Sequence, residues 1–317
     1  MRILFVGGTG FLGSATIPLL SAAGAEVAVA HRAVTEPKEI GAVEHLHGPR
    51  HDLLRPNGPV ERWGPDVLID TFGGGATAAA GHELSACARR AGTRHMIAIS
   101  SMDVYQACVD AGVDDGEVTA LYEHPLPIEE TALLRAPHPR GAAHDNVAME
   151  GALGGDQVTI LRPGAIYGPG LGVGGQQPNR EWTLVARVAA GDHRLDLPDG
   201  GDQLFHRVAV ERVARAILAA VERAPAGVWA CNVVDPYGWT YAGLAAEVGR
   251  ILDWSWEPVR VAFDAADHPW QTAHPIIGSD RRLREVLGVC EPDPRAALAG
   301  TIRWLWERRD DLASAPV

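Results

Sequence analysis

The apolar run Ile3 to Val6 passes directly into Gly7, Gly8, Thr9, Gly10, Phe11, Leu12 and Gly13, a strand entering a glycine-rich turn. No other stretch restricts the fold so strongly. Glycine lets the backbone turn sharply and come close to a ligand, and the helix that follows aims its unpaired N–H groups and positive dipole end into the turn. That junction suits a diphosphate, so it predicts a dinucleotide site. Glycine-rich loops also occur as plain turns, and the flanking pattern has to decide. Here Leu12, Thr16, Leu19, Leu20 and Ala23 recur at helical spacing, Gly24 stands where a helix would stop, and Glu26 to His31 reads as a buried strand. Residues 3–31 therefore read as a complete strand–helix–strand unit. Pro18 is the discordant residue, and a kink is expected in the helix there.

The alternation continues. Strands are expected at Val43 to His47, Asp66 to Thr71, Arg94 to Ser100 and Gln157 to Leu161, with helices at Thr77 to Ala91 and Ala142 to Leu153. Short strands separated by helices predict a doubly wound parallel sheet of the α/β class. Ligands in such sheets bind beyond the carboxyl ends of the strands where strand order reverses. The segments Gly7 to Gly13, Thr71 to Gly74, and Ser100-Ser101 all follow expected strand ends. Beyond Pro163 the rhythm loosens into a glycine-rich stretch. Helices then follow near 182–190, 210–223, 241–252, 280–287 and 294–308, with short strands near Leu204 and Val228 to Val233. The expected division is a cofactor domain over 1–165, with sheet contributions from about 203–235, and a smaller α/β substrate lobe over 166–317.

A chain of 317 residues can bury a large core without staples. Cys87, Cys108, Cys231 and Cys290 are scattered, without a CxxC pair or a His cluster at ligand spacing, so neither disulfides nor a metal site is expected. The formal charge of −12 argues against a nucleic-acid partner. No segment is apolar for long enough to span a bilayer, and the N-terminal apolar stretch is too short for a signal peptide. A cytoplasmic protein with a small-molecule substrate and no membrane partner is expected, and a homodimer is the assembly considered.

In order, GGTGFLG, DTFGGG, ISSMDVY, LRPGAIYGPG and HRVAVERVA resemble the extended short-chain dehydrogenase/reductase family, in particular its NAD(P)-dependent epimerase/dehydratase branch, over nearly the whole chain. The resemblance implies a Rossmann-type cofactor domain, a C-terminal substrate lobe, and hydride exchange at a carbon bearing a hydroxyl. Gly7, Thr9, Gly10, Phe11, Leu12 and Gly13 would hold the cofactor. Asp52 and Leu53 resemble the family's adenine-contacting pair, and Thr71, Phe72 and Gly73 its segment along the middle of the cofactor. Ser100, Pro163 and Ile166 join the cofactor set by position. Ser101, three residues before Val104-Tyr105, falls where the family holds the reacting oxygen.

The sequence departs from the family at the catalytic pair. Aligned on Glu150, the helix carries Asn146 where the family has its lysine and Ala142 where it has its tyrosine, while a tighter spacing puts His144 at the tyrosine position. Histidine titrates near neutrality without a neighbouring cation, so His144 is the expected proton carrier, with Tyr105, Tyr122 and Asp103 as other candidates. Asn146 could still bond a ribose hydroxyl. The end of the second strand holds His31 and Arg32 in place of the acidic residue that selects NAD, which suits a 2′-phosphate and predicts NADP over NAD. The alternative to an enzyme is a degenerate dinucleotide-binding sensor or regulatory protein.

Overall fold

The computed structural model describes residues 1–33, 40–72, 75–112, 118–119, 121–136, 145–170, 179–263 and 272–312. Its strands are β1 (Arg2–Val6), β2 (Glu26–His31), β3 (Glu44–His47), β4 (Val67–Asp70), β5 (His95–Ile99), β6 (Gln157–Pro163), β7 (Ala165–Tyr167), β8 (Arg194–Pro198), β9 (Arg207–Ala209), β10 (Gly227–Val233) and β11 (Glu257–Val261). The helices are α1 (Phe11–Ala22), α2 (Arg50–Leu54), α3 (Pro59–Trp63), α4 (Ala78–Ala91), α5 (Gln106–Asp110), α6 (Asn146–Ala152), α7 (Trp182–Ala189), α8 (Val210–Arg223), α9 (Tyr241–Leu252), α10 (Arg281–Glu285), α11 (Pro294–Glu307) and α12 (Arg309–Leu312).

Seven parallel strands form the central sheet in the order β10-β6-β5-β4-β1-β2-β3. Order therefore reverses between β1 and β4, which is where such a sheet opens its ligand crevice. Alternation along β1 shows how both faces are covered. Ile3 and Phe5 enter one core with Ile17 and Leu20 of α1 and Val213 and Ile217 of α8. Leu4 and Val6 enter the other with Leu84 of α4, Met149 of α6 and Leu68 of β4. Each such side chain, fully withdrawn from water, contributes roughly 1.5–3 kcal/mol. β10, far along the chain, pairs with β6 to complete the sheet.

α1 runs unbroken through Pro18, whose ring is exposed, so the carbonyl deprived of its donor lies on the outer side of the helix. The smaller lobe has its own core, built by Leu184 and Val185 of α7, Leu244 and Val248 of α9, and Leu298 and Ile302 of α11. Two parallel pairs there, β7 with β9 and β8 with β11, lie outside the main sheet.

The tightest backbone approach is at the start of α1. A Cβ on Gly13 would lie 1.8 Å from the Gly8 carbonyl oxygen, so the helix packs on the turn at a distance only glycine permits. Gly151, late in α6, faces nothing within 4 Å. Gly13→Ala is expected to lower unfolding free energy by about 3 kcal/mol, the upper range of overpacking, whereas Gly151→Ala should be neutral or stabilising by up to about 1 kcal/mol. Urea denaturation midpoints of the two variants measure the contrast.

Candidate active site

The crevice is floored by the carboxyl ends of β1, β4, β5 and β6. From β1, the turn starts with Gly7 at φ +78°, and α1 begins after Gly10, whose position supplies no side-chain cap. The first N–H groups of a twelve-residue helix thus open toward the crevice without competition from a capping oxygen. From β4, the Thr71 hydroxyl reaches the Gly7 carbonyl at 3.3 Å, which brings the second expected cofactor segment onto the first. Phe72 follows at φ +48°, its amide held 2.8 Å from the buried Asp70 carboxylate, and Arg50 pairs with that carboxylate in turn. Burial raises the pKa of Asp70, against the pull of Arg50. Gly73 lies outside the described residues.

The segment after β7 closes on the same turn. A Cβ on Gly170 would come within 3.0 Å of the Phe11 ring, and one on Gly168 within 2.3 Å of Val210. Asn179 clasps Gly168 from both sides, accepting from its amide and donating to its carbonyl at 2.8 Å each. Ile166 lies in β7 opposite Val208, and Pro163 ends β6 opposite Val233. Leu53 is buried in the core below the end of β2, while Asp52 and Arg32 are exposed.

From β5 come Ser100 and Ser101, which point to different partners. The Ser100 hydroxyl is buried and donates to Glu150, so it is committed to the protein. Glu150 also receives both arms of Arg162 at 3.0 and 2.6 Å, and Arg162 reaches the Tyr105 hydroxyl at 3.0 Å. That hydroxyl donates to Asn232 at 2.6 Å. Burial, opposed by Arg162, pushes Tyr105 up to about 12. Tyr105 is therefore a buried strut that keeps its proton. Burial likewise raises Tyr122, whose ring stacks on His274.

Ser101 follows the end of β5, half-buried, and its oxygen accepts from the Asp103 amide at 3.2 Å. It caps the short 3₁₀ turn Met102–Val104, and its hydroxyl proton is still available to a ligand. The Asp103 carboxylate receives the Asn146 side-chain amide at 2.9 and 3.2 Å. Arg135 binds the Asp103 carbonyl at 2.9 Å and, at 3.2 Å, the carboxylate of Asp145, which caps α6. Position 146 thus presents a neutral amide that orients a carboxylate next to Ser101. The sequence reading named Asn146 as a ribose contact; its engagement with Asp103 was legible only in three dimensions. His144 lies outside the described residues.

The sequence matches the NAD dependent epimerase/dehydratase family over residues 3–232. No curated protein sequence matches the chain. Among solved structures it resembles a UDP-glucose 4-epimerase from Thermotoga maritima, crystallised with UDP-glucose, at TM-score 0.72 and 19% identity over 98% of this chain and 99% of that one. It also resembles a UDP-glucose 4-epimerase from Bifidobacterium longum in complex with NAD+ and UDP, at TM-score 0.71 and 16% identity over 98% and 99%. A third likeness is to a UDP-N-acetylglucosamine 4-epimerase from Methanobrevibacter ruminantium, at TM-score 0.70 and 15% identity over 97% and 98%. At these identities the structural likeness shows the fold alone, and the family match over most of the length, together with the glycine turn at the point of strand reversal, makes this chain an enzyme of the NAD dependent epimerase/dehydratase family.

Proposed function

We propose that the enzyme binds NADP(H) in preference to NAD(H) and moves hydride at a hydroxyl-bearing carbon of a sugar-like substrate. The observation that carries this reading is the uncapped N-terminus of α1, held by the Gly8–Gly13 approach beside the Thr71 end of β4. Its free N–H groups and dipole end suit a diphosphate. Asp52 and Leu53 would face adenine, and Thr71, Phe72 and Gly73 the middle of the cofactor, with Pro163, Ile166 and Asn146 further along. Ser100, whose hydroxyl is taken by Glu150, would contribute only main chain. When bound, the nicotinamide supplies the hydride acceptor or donor. UDP-sugars, of which UDP-glucose is present in the Thermotoga maritima structure, are the first substrate class to test.

Ser101 would hold the reacting oxygen. The proton is assigned to one of two groups: His144, which needs no cation to titrate near neutrality, or Asp103, which lies next to Ser101 and is oriented by Asn146. Burial argues against Tyr105 and Tyr122 in that role.

Ser101→Ala is expected to lower kcat by about 10²–10³ with nucleotide affinity retained. Of Asp103→Asn and His144→Phe, the variant that removes the proton carrier should lose about 10²–10⁴ in kcat and flatten one limb of the pH profile, while the other stays within tenfold. Nucleotide binding without turnover across a panel of UDP-sugars and hydroxy compounds would instead leave a sensor. Catalytic as against stoichiometric use of nucleotide separates epimerase from reductase.

Arg32→Ala tests the cofactor preference. Loss of a charge-assisted phosphate bond should weaken NADP by about 10- to 100-fold and leave NAD unchanged. Calorimetric titration measures both, and equal wild-type affinities for the two nucleotides would overturn the preference.

A further inference from the structure

Parallel pairing of β2 with β3 sets His31 opposite His47 and Val29 opposite His45, so the side chains of residues 31, 45 and 47 share one face at the edge of the sheet. One ring nitrogen from each of the three histidines lies within 4.8 Å of the other two. The closest pair is His31 Nε2 and His45 Nδ1 at 2.8 Å, and the His31 ring stands edge-on to both others, with centroids 5.0 and 4.7 Å away. His31 is buried, His45 half-buried and His47 exposed, so the cluster runs from core to solvent.

From these positions we infer a three-histidine site for a divalent transition-metal cation of the zinc class. Imidazole nitrogens bound at 2.0–2.1 Å in tetrahedral geometry are separated by ~3.3 Å, a spacing inside the range this cluster already spans. Three nitrogen ligands suit Zn²⁺, and among the described residues the group holds no carboxylate, the ligand type that Mg²⁺ and Ca²⁺ prefer. The backbone beneath is fixed: β2 and β3 are hydrogen-bonded along their length, and the Gly48 amide holds the His31 carbonyl at 3.0 Å. Ligation through His31 Nε2 requires that nitrogen to carry its lone pair, so the ring proton moves to Nδ1. The 3.2 Å contact from the Ala33 amide to Nδ1 is then given up, and that amide, in an exposed turn, passes to water. Sequence spacing alone conceals the site, because two ligands come from one strand and the third from its neighbour. The expectation of no metal site rested on that spacing.

The test titrates the tag-free, full-length enzyme with Zn²⁺ and with Co²⁺ against a chromophoric chelator, in the absence of nucleotide. One equivalent per chain is expected, with visible Co²⁺ bands of a four-coordinate site and a raised melting temperature. His45→Asn/His47→Asn, which leaves the buried His31 in place, should weaken binding by at least about a hundredfold and abolish both the bands and the thermal shift. Unchanged circular dichroism of the metal-free variant shows that it folds. No binding, several weak sites, or undiminished binding by the folded double variant would overturn the site. None of these outcomes depends on the cofactor or the reaction.

Discussion

The position of the Gly8 carbonyl inside the space that a side chain on residue 13 would need governs the rest of the crevice. Because α1 can settle onto its own turn at that distance, its first amides are aimed at one point beside the gap between β1 and β4. The other segments are then measured against the same turn: Thr71 bonds to Gly7, and the Gly168–Gly170 return packs on Phe11 and Val210. The strand ends supply direction, but the close approach supplies distance. A looser α1 would leave the same residues near one another without a shared focus for a diphosphate.

That focus was readable from sequence because it depends on local chemistry. Glycine, a buried strand and an amphipathic helix each act over a few residues, and β2, α4, β10, α8 and α9 fall within a residue or two of their periodic patterns. The elements that periodicity missed are short and take their partners from far away. β8 pairs with β11 some sixty residues later, and the alternation in Arg194–Pro198, carried by Leu195 and Leu197 alone, is too short to announce a strand. Site residues divide in the same way. Thr71 and Ser101 follow from their place at strand ends. That Ser100 turns away to Glu150, that Tyr105 is sealed against Asn232, and that His31 meets His45 and His47 all depend on partners from 14 to 127 residues distant.

The same contrast applies to α6. Glu150 neutralises Arg162 between β6 and α6, with Ser100 filling a remaining acceptor site. Removing one member would leave an uncompensated charge inside the protein, at a cost of roughly 3–5 kcal/mol, so the carboxylate persists whether or not the residues before it do chemistry. Position 146 carries no such structural debt. Lys38 is the only lysine in the sequence, so α6 carries no ammonium. An amide can orient a neighbour but cannot lower the pKa of a phenol by charge, and Asn146 spends its donors on Asp103. A proton carrier at this site must therefore titrate usefully on its own. That requirement disfavours a tyrosine and suits an imidazole or a carboxylate, which is why the proposed chemistry names His144 and Asp103.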